Sequence, residues 1–444
     1  MSAAPLEGGR LETKLADGKP LYTPGEAIAE ANRCLFCHDA PCITACPTGI
    51  DIPRFIRKIG TGNLNGSAQA ILSANLLGYS CARVCPVEVL CAGACVYNAW
   101  ERTPIAIGRL QRYATETVFD QGDAASLLPR AASNGKRIAC VGAGPASLAT
   151  AGYLALEGCD VIVIDRYALP GGLNTTGVAP YKMHVEGALR EMEFLDSLGV
   201  KFRGGVEIGR DLAPAALVAG HDAVFLGPGL GGDTPLAIPG ADGPGVIGAT
   251  AWIEHMKLSA AGSLEGLQRA IVVGGGNTAI DAARELAQLG VPEVALLYRR
   301  TQSDMSGYAH ELEAARLDGV QFVEQAVPES FLREKGVLVS LKLTDGREFP
   351  CDLAVLAIGQ SSLAALSQSF EGVVVDGKGR IVVDEATGAT GNPKVWAGGD
   401  ATGGELVVTA VQDGKRAARA IAQALGIPVR PDAPMLAGHG TVRT

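Results

Sequence analysis

Eight of the chain's eleven cysteines fall between residues 34 and 95, in two short runs that each contain a Cys-Pro pair. The first is Cys34-x2-Cys37-x4-Cys42-x3-Cys46-Pro47, and the second is Cys81-x3-Cys85-Pro86-x4-Cys91-x3-Cys95. No apolar signal-peptide core precedes them, so a reducing compartment is expected, where disulfides are rare. Ligation is then the expected role of the thiols. Runs that end in Cys-Pro are how [4Fe–4S] ligands are spaced, the last cysteine crossing to another cluster. Zinc knuckles space their Cys pairs by about 12–20 residues and fit these tight, interleaved runs poorly. Residues 30–115 therefore read as a small domain that holds iron–sulfur clusters and carries single electrons. Spacing alone leaves the number of clusters and their wiring open.

The other 330 or so residues must supply the electrons (444 residues, about three domains' worth). A net charge of −9 gives no electrostatic footprint for nucleic acid or an anionic membrane. The most apolar stretch, Ile138–Leu156, is built of Gly, Ala and Ser around a Pro, so it reads as buried strand–turn–helix rather than a bilayer span. A cytoplasmic location with no membrane or nucleic-acid partner is expected.

Pro24–Cys34, Pro53–Gly60 and Ser67–Asn75 have helical spacing and caps, which predicts a helical domain over residues 1–133. A strand–Gly turn–helix–strand unit opens at Arg137 and closes at Asp165, and a second opens at Arg269. Short strands follow over Gln321–Glu324, Leu338–Leu343 and Asp352–Ile358. Strand material returning after the second unit predicts one α/β domain inserted in another. The expected fold is thus α+β multidomain: the helical [4Fe–4S] domain, then two Rossmann-like domains. The expected segments are 134–252 for a first dinucleotide-binding part, 253–352 for the insert, and 353–444 for the returning part.

In the first turn Gly142 allows the bend, Gly144 lets backbone approach a pyrophosphate, and Pro145 and Ala146 open the helix. Asp165, 23 residues after Gly142, stands where an acid accepts ribose hydroxyls. The second turn is Gly274-Gly275-Gly276-Asn277-Thr278-Ala279, with Ala279 in place of the third glycine. Its following strand ends in Arg299-Arg300, a basic pair suited to a 2′-phosphate. Near the C-terminus Gly399-Asp400 ends a strand, and Thr409-Ala410-Val411 opens a helix. Such a Gly-Asp binds a flavin's ribityl chain in two-dinucleotide flavoproteins, so the first turn is assigned FAD and the second NADH or NADPH. Gly171-Gly172-Leu173 fits the FAD side as well. Hydride transfer to flavin needs stacking more than an acid–base pair, which agrees with only six histidines. Cys140, Cys159 and Cys351 are isolated and read as buried small hydrophobes, so no disulfide mechanism is expected.

With these elements in order, the sequence resembles the flavin-containing subunit of bacterial dihydropyrimidine dehydrogenase over about residues 25–425. It is equally similar to the N-terminal half of the single-chain animal enzyme, and the small subunit of bacterial glutamate synthase is a cousin. The stretches that carry the resemblance are Arg33–Cys42, Cys81-Ala82-Arg83-Val84-Cys85-Pro86 and Ile107-Gly108-Arg109-Leu110-Gln111. The resemblance implies a glutathione-reductase-like pair of nucleotide domains and an FMN-containing catalytic subunit as hetero-oligomeric partner. It also implies one glutamine ligand sixteen residues after the last cysteine, the place of Gln111. Carried over by position, Cys34, Cys37, Cys42 and Cys95 hold one cluster. Cys46, Cys85, Cys91 and Gln111 hold the other, and Cys81 is a bystander. Three positions depart from the family: Asp165 replaces a glutamate, Lys182 stands where an arginine is common near the flavin, and Ser306 replaces a phosphate-binding arginine. The last weakens the NADPH reading that Arg299 and Arg300 support. The expected role is electron input from NAD(P)H to a partner that reduces uracil or thymine. The alternative is a glutamate-synthase-type small subunit feeding another acceptor, where an acid takes the place of Gln111.

Overall fold

The computed structural model describes residues 6, 8–122, 124–259 and 264–437, so the expected segments' outer ends, 1–5 and 438–444, lie outside it. The expected architecture is observed: a helical N-terminal domain and two parallel-sheet α/β units, one interrupting the other.

Local capping explains where the first helices begin. In Pro24–Ala31 the Thr23 N–H donates to Glu26 Oε2 (2.8 Å), and Glu26 N–H donates back to Thr23 Oγ1 (3.3 Å). Asp51 caps Ile52–Gly60 and Asn63 caps Leu64–Ala74 by accepting backbone N–H groups. Ile52, Phe55, Ile56 and Ile59 fall on one face of their helix and pack with Ile71 and Leu110. Each such side chain stabilises the domain by about 1.5–3 kcal/mol when fully buried. The helices Gly78–Val84 and Ile107–Gln121 complete the domain.

The first sheet contains β1 (Arg137–Val141), β2 (Asp160–Ile164), β3 (Val200–Arg203), β4 (Ala223–Leu226) and β13 (Val395–Ala397), all parallel, in the order β13-β4-β1-β2-β3. The second contains β5 (Val246–Gly248), β6 (Arg269–Gly274), β7 (Glu293–Leu297), β8 (Gln321–Val323) and β12 (Leu353–Ala357), also parallel, in the order β5-β12-β6-β7-β8. An antiparallel layer of β9 (Pro328–Glu334), β10 (Val337–Leu343) and β11 (Glu348–Pro350) stands between β8 and β12 in the chain. The interrupting unit therefore reaches beyond 253–352 at both ends. β5 precedes residue 253 and β12 follows 352, yet they pair with each other. A three-residue edge strand has no periodicity to read; its partner defines it.

The helix Pro145–Leu156 is buried almost all round, because it is enclosed on several sides. Helix Val407–Ala424 crosses it, with Thr150 Oγ1 donating to Gly414 O at 3.1 Å. The cysteine-rich domain presses on it through Leu76, which lies 2.7 Å from where a Cβ on Gly152 would stand. Its small side chains make these approaches possible. Glu191, buried in helix Val185–Ser197, accepts from the N–H groups of Tyr79 (3.1 Å) and Ser80 (3.2 Å). It thereby caps the helix that carries Cys81 and ties the cysteine-rich domain to the first sheet's unit.

Candidate functional site

The eight N-terminal cysteines separate into two groups of four. Cys34, Cys37, Cys42 and Cys95 line one small cavity with Ile52 and Ile56. Burial, and then the neighbouring Cys34 and Cys95, push the Cys42 thiol up to about 12. Cys85 is raised well above the ordinary thiol value by burial and then by Cys81, Cys91 and Cys46, which define the second group. Thiols that raise one another in this way ionise together only around a multivalent cationic core. All eleven cysteines are unpaired thiols. The donor set thus fits iron–sulfur clusters.

Cys81, set aside as a bystander by position, lies within the second group and is 3% exposed. Gln111 is buried on the helix Ile107–Gln121, and its Nε2 donates to Gly78 O at 2.7 Å. That carbonyl orients the amide, so Oε1 is the atom left for a ligand. The side chain is held by the helix of Cys81, not by a thiol.

A second cavity, of about 600 Å³, lies where all three units meet. Gly142, Gly144, Pro145 and Ala146 of the first turn line it. Gly142 has φ +87°, and a Cβ there would lie 2.3 Å from Gly227 O, so only glycine serves. Beyond Gly144 there is open space for 4 Å around a Cβ position, the room a pyrophosphate needs. Asp165 also lines the cavity. It accepts from Ala143 N–H (2.6 Å) and Tyr167 N–H (2.8 Å), which pins the turn, and burial raises its pKa. Gly172 and Leu173 are in the wall, whereas Gly171 turns behind it against Thr175.

Asp400 lines the cavity, adjoining Gly399, and its carboxylate has no hydrogen-bond partner among the described residues. Burial, and then Asp413 and Glu405, push its pKa up to about 6. Of the three residues expected at the following helix's start, only Ala410 reaches the wall. Thr409 is used in the cap, donating to Leu406 O at 2.8 Å, and Val411 is in the core. Helical periodicity is the reason, since Leu406, Val407 and Ala410 share one face.

From the second turn only Asn277 and Thr278 face the cavity. Gly274 lies against Ala357 O, Ala279 is buried, and Gly276 has Ser306 Oγ 3.6 Å from its Cβ position. Arg299 and Arg300 follow β7, exposed and outside the wall, without a carboxylate partner among the described residues. Lys182 is in the wall but is engaged by the interrupting unit, 2.7 Å from Asp281 Oδ1 and 3.0 Å from Glu311 Oε1. Tyr181 also donates to Asp281.

Several wall residues carried no recognised motif. Asn174 is 1% exposed, with both side-chain amide atoms unpartnered; its signal was a polar residue directly after Gly-Gly-Leu. The run Gly227–Gly232 after β4 was another legible sign. Tyr308 and His310, stacked at 5.6 Å, reach in from the interrupting unit. Cys85 and Pro86 reach in from the cysteine-rich domain. The open cradle at Gly144 with unpartnered Asp400 and Asn174 fits a nucleotide with phosphates and hydroxyls.

Two families match in succession. One described as dihydropyrimidine dehydrogenase domain II, 4Fe-4S cluster, covers residues 12–123, and one described as pyridine nucleotide-disulphide oxidoreductase covers 136–414. The glutamate synthase [NADPH] small chain of Halomonas elongata is 34% identical over 439 residues, covering 91% of this chain and 92% of that one. The NAD-dependent dihydropyrimidine dehydrogenase subunit PreT of Escherichia coli O157:H7 is 33% identical over 403 residues, covering 90% and 95%. The solved thioredoxin reductase of T. acidophilum matches with a TM-score of 0.52 at 21% identity, over 65% of this chain and 98% of that one. FprA of Mycobacterium tuberculosis, solved with NADPH, matches at 0.53 and 20% identity, over 69% and 91%. These two structures share the fold of the paired α/β units. No helix among the described residues is long and apolar enough to cross a membrane. The chain belongs to the pyridine nucleotide-disulphide oxidoreductase family, in the form that carries an N-terminal 4Fe-4S domain of the dihydropyrimidine dehydrogenase type.

Proposed function

We propose that this chain is the electron-input subunit of a cytoplasmic dihydropyrimidine dehydrogenase. It oxidises NAD(P)H and delivers electrons, by way of FAD and two [4Fe–4S] clusters, to an FMN-containing partner that interconverts uracil or thymine with their 5,6-dihydro forms. The observation that carries this reading is the shared cavity: residues of both nucleotide turns and Cys85 line the same space. Bound flavin supplies the step from paired to single electrons. Gly142, Gly144 and Ala146 receive the FAD pyrophosphate at a helix N-terminus, Asp165 a ribose, and Asp400 the ribityl hydroxyls. Asn277 and Thr278 orient the nicotinamide nucleotide, and Arg299 with Arg300 wait for a 2′-phosphate. Tyr308 and His310 close the space between the units against water. Cys85 in the wall makes the second cysteine group the nearer one to the flavin side. The first group, beside exposed Leu35 (47% exposed), is the exit.

Gln111 is what points to a pyrimidine partner. One observation favours the alternative, a glutamate-synthase-type small chain: buried Cys81 is a neighbour of Cys46 and Cys85, a fourth thiol available in place of Gln111. Replacing each in turn separates the two. With Gln111 as ligand, Gln111→Leu alters the EPR signal of one cluster and Cys81→Ser leaves both signals intact; the reverse pattern selects the alternative. Added FMN-containing subunit must then restore NAD(P)H-dependent uracil reduction, and uracil turnover by the chain alone would refute this division of labour.

A further inference from the structure

Lys415 lies in the helix Val407–Ala424 and is fully buried. Its ammonium leaves its own unit and donates to two carbonyls of the cysteine-rich domain, Ala74 O at 2.8 Å and Thr48 O at 3.2 Å. The ring of Tyr153 lies 5.8 Å away. No carboxylate pairs with it among the described residues. A buried ammonium without a counter-ion costs several kcal/mol, and neither carbonyls nor a ring cancel a full charge. Capping the carbonyl end of helix Leu64–Ala74 is a structural task that a neutral donor performs as well.

What lies beyond the carbonyls gives the charge a use. Thr48 Oγ1 is 3.4 Å from Cys46 Sγ, and Asn75 Nδ2 reaches Thr48 Oγ1 at 3.5 Å. Lys415, Thr48 and Asn75 thus make a polar floor under Cys46 of the second group. Burial, and then Arg419, lower the Lys415 pKa to about 7, and Cys46 is the neighbour that holds its proton on. Among the described residues the cations acting on the first group lie nearer water: Arg57, exposed, acts on Cys34, and Arg33, partly exposed and paired with Glu30, acts on Cys95.

We propose that Lys415 is the counter-ion of the cluster held by the second cysteine group, a positioning residue that raises that cluster's reduction potential. The inference rests on the iron–sulfur reading above. Thiolates around an iron–sulfur core are anionic, and reduction adds one more negative charge. An ammonium kept protonated by the anionic site favours the reduced form, through a medium that screens it little.

The test is an anaerobic, EPR-monitored redox titration of the full chain and of Lys415→Met, Lys415→Gln and Lys415→Arg. The second group's signal is identified by the change that Cys91→Ser makes to it. At the wild-type midpoint, Met and Gln variants are expected to show at least a tenfold lower ratio of reduced to oxidised cluster. For a one-electron couple that is a fall of about 59 mV. The other cluster and the flavin keep their midpoints, and Arg restores the signal to near its wild-type position. The Gln variant keeps an amide donor for Ala74 O and Thr48 O, so it separates charge from packing even if the Met variant fails to assemble. Full iron content with unmoved midpoints in the Gln variant overturns the inference, and so does an equal shift of both clusters. Absence of any [4Fe–4S] signal in the wild-type chain overturns the iron–sulfur reading, and the inference with it.

Discussion

The two nucleotide turns are built alike and placed differently. Each follows the central strand of a five-stranded parallel sheet, β1 or β6, and each opens a helix. The first turn puts Gly142, Gly144 and Ala146 in the wall of the shared cavity, with its bend closed tightly against Gly227. The second shows the cavity only Asn277 and Thr278, and the space at Gly276 is bounded only by Ser306. Their partners differ as well. The first turn is pinned by Asp165, whereas the strand after the second leads to two exposed arginines, Arg300 lying over the Tyr298 ring. The same local motif thus makes a more enclosed turn in one unit and a more exposed one in the other. That is the difference expected between a resident cofactor and an exchanging one.

The largest effect expected from this contrast is at Gly142. Gly142→Ala forces a Cβ at positive φ against a backbone oxygen, and should destabilise the first unit by about 3 kcal/mol or more. Gly276→Ala, with φ −96° and only a side-chain hydroxyl nearby, should change stability by no more than about 0.5 kcal/mol. Denaturant unfolding of the two variants compares them directly, and equal losses would remove the distinction between the turns.

Asp400 gives a pH-dependent test of the first seat. Its pKa in the fold, about 6, lies above the ordinary 3.8, so the protonated carboxyl is the form the fold prefers. Its contribution is full below pH 3.8 and is lost as pH rises through 6, a span worth up to about 3 kcal/mol. Flavin-free chain should therefore lose stability from this group between those limits, and Asp400→Asn should flatten that part of the profile. Thermal unfolding across the range, wild type against variant, measures it. An unchanged slope in the variant means that Asp400 is not the group responsible.

At the second seat the expected effect is on selectivity. Replacing Arg299 and Arg300 together by Ala should lower kcat/KM for NADPH about tenfold, or ~1.4 kcal/mol, while leaving NADH use in place. If NADH suffers equally, the pair does not read the 2′-phosphate. A further effect concerns the link between the seats. Lys182→Met leaves Asp281 and Glu311 without their shared cation and should destabilise the chain by about 1–2 kcal/mol. It should also loosen nicotinamide binding more than FAD binding, which stopped-flow reduction and flavin retention read separately.

Much of this molecule is written in short-range pattern. Glycine at 142 and an acid at 165 follow from what a βαβ turn needs, and strands such as Val294–Tyr298 declared themselves by residue type. The helices expected at Pro24 and Pro53 begin within a residue of those positions, whereas the one expected at Ser67 begins at Leu64, where Asn63 caps it. Other features have no local sign. β5 is a strand only because β12 lies beside it. Thr409 and Val411 turn away from the cavity although they adjoin Ala410. Lys182 was read as a residue near the flavin, and it is equally a bridge to carboxylates about a hundred residues away.

The cysteine runs show the division most plainly. Sequence alone determined that this chain has two dense sets of thiols, two dinucleotide turns, and a Gly-Asp strand end to go with the first. Those are matters of covalent spacing and backbone sterics, which a few consecutive residues settle. Only the tertiary structure decided that Cys81 lies near Cys46 and Cys85, that Cys85 stands in the wall of the nucleotide cavity, and that Lys415 crosses from the C-terminal helix to the carbonyl of Thr48. Those depend on which buried surfaces meet. Charges and thiols hundreds of residues apart act on one another only once water has been excluded between them.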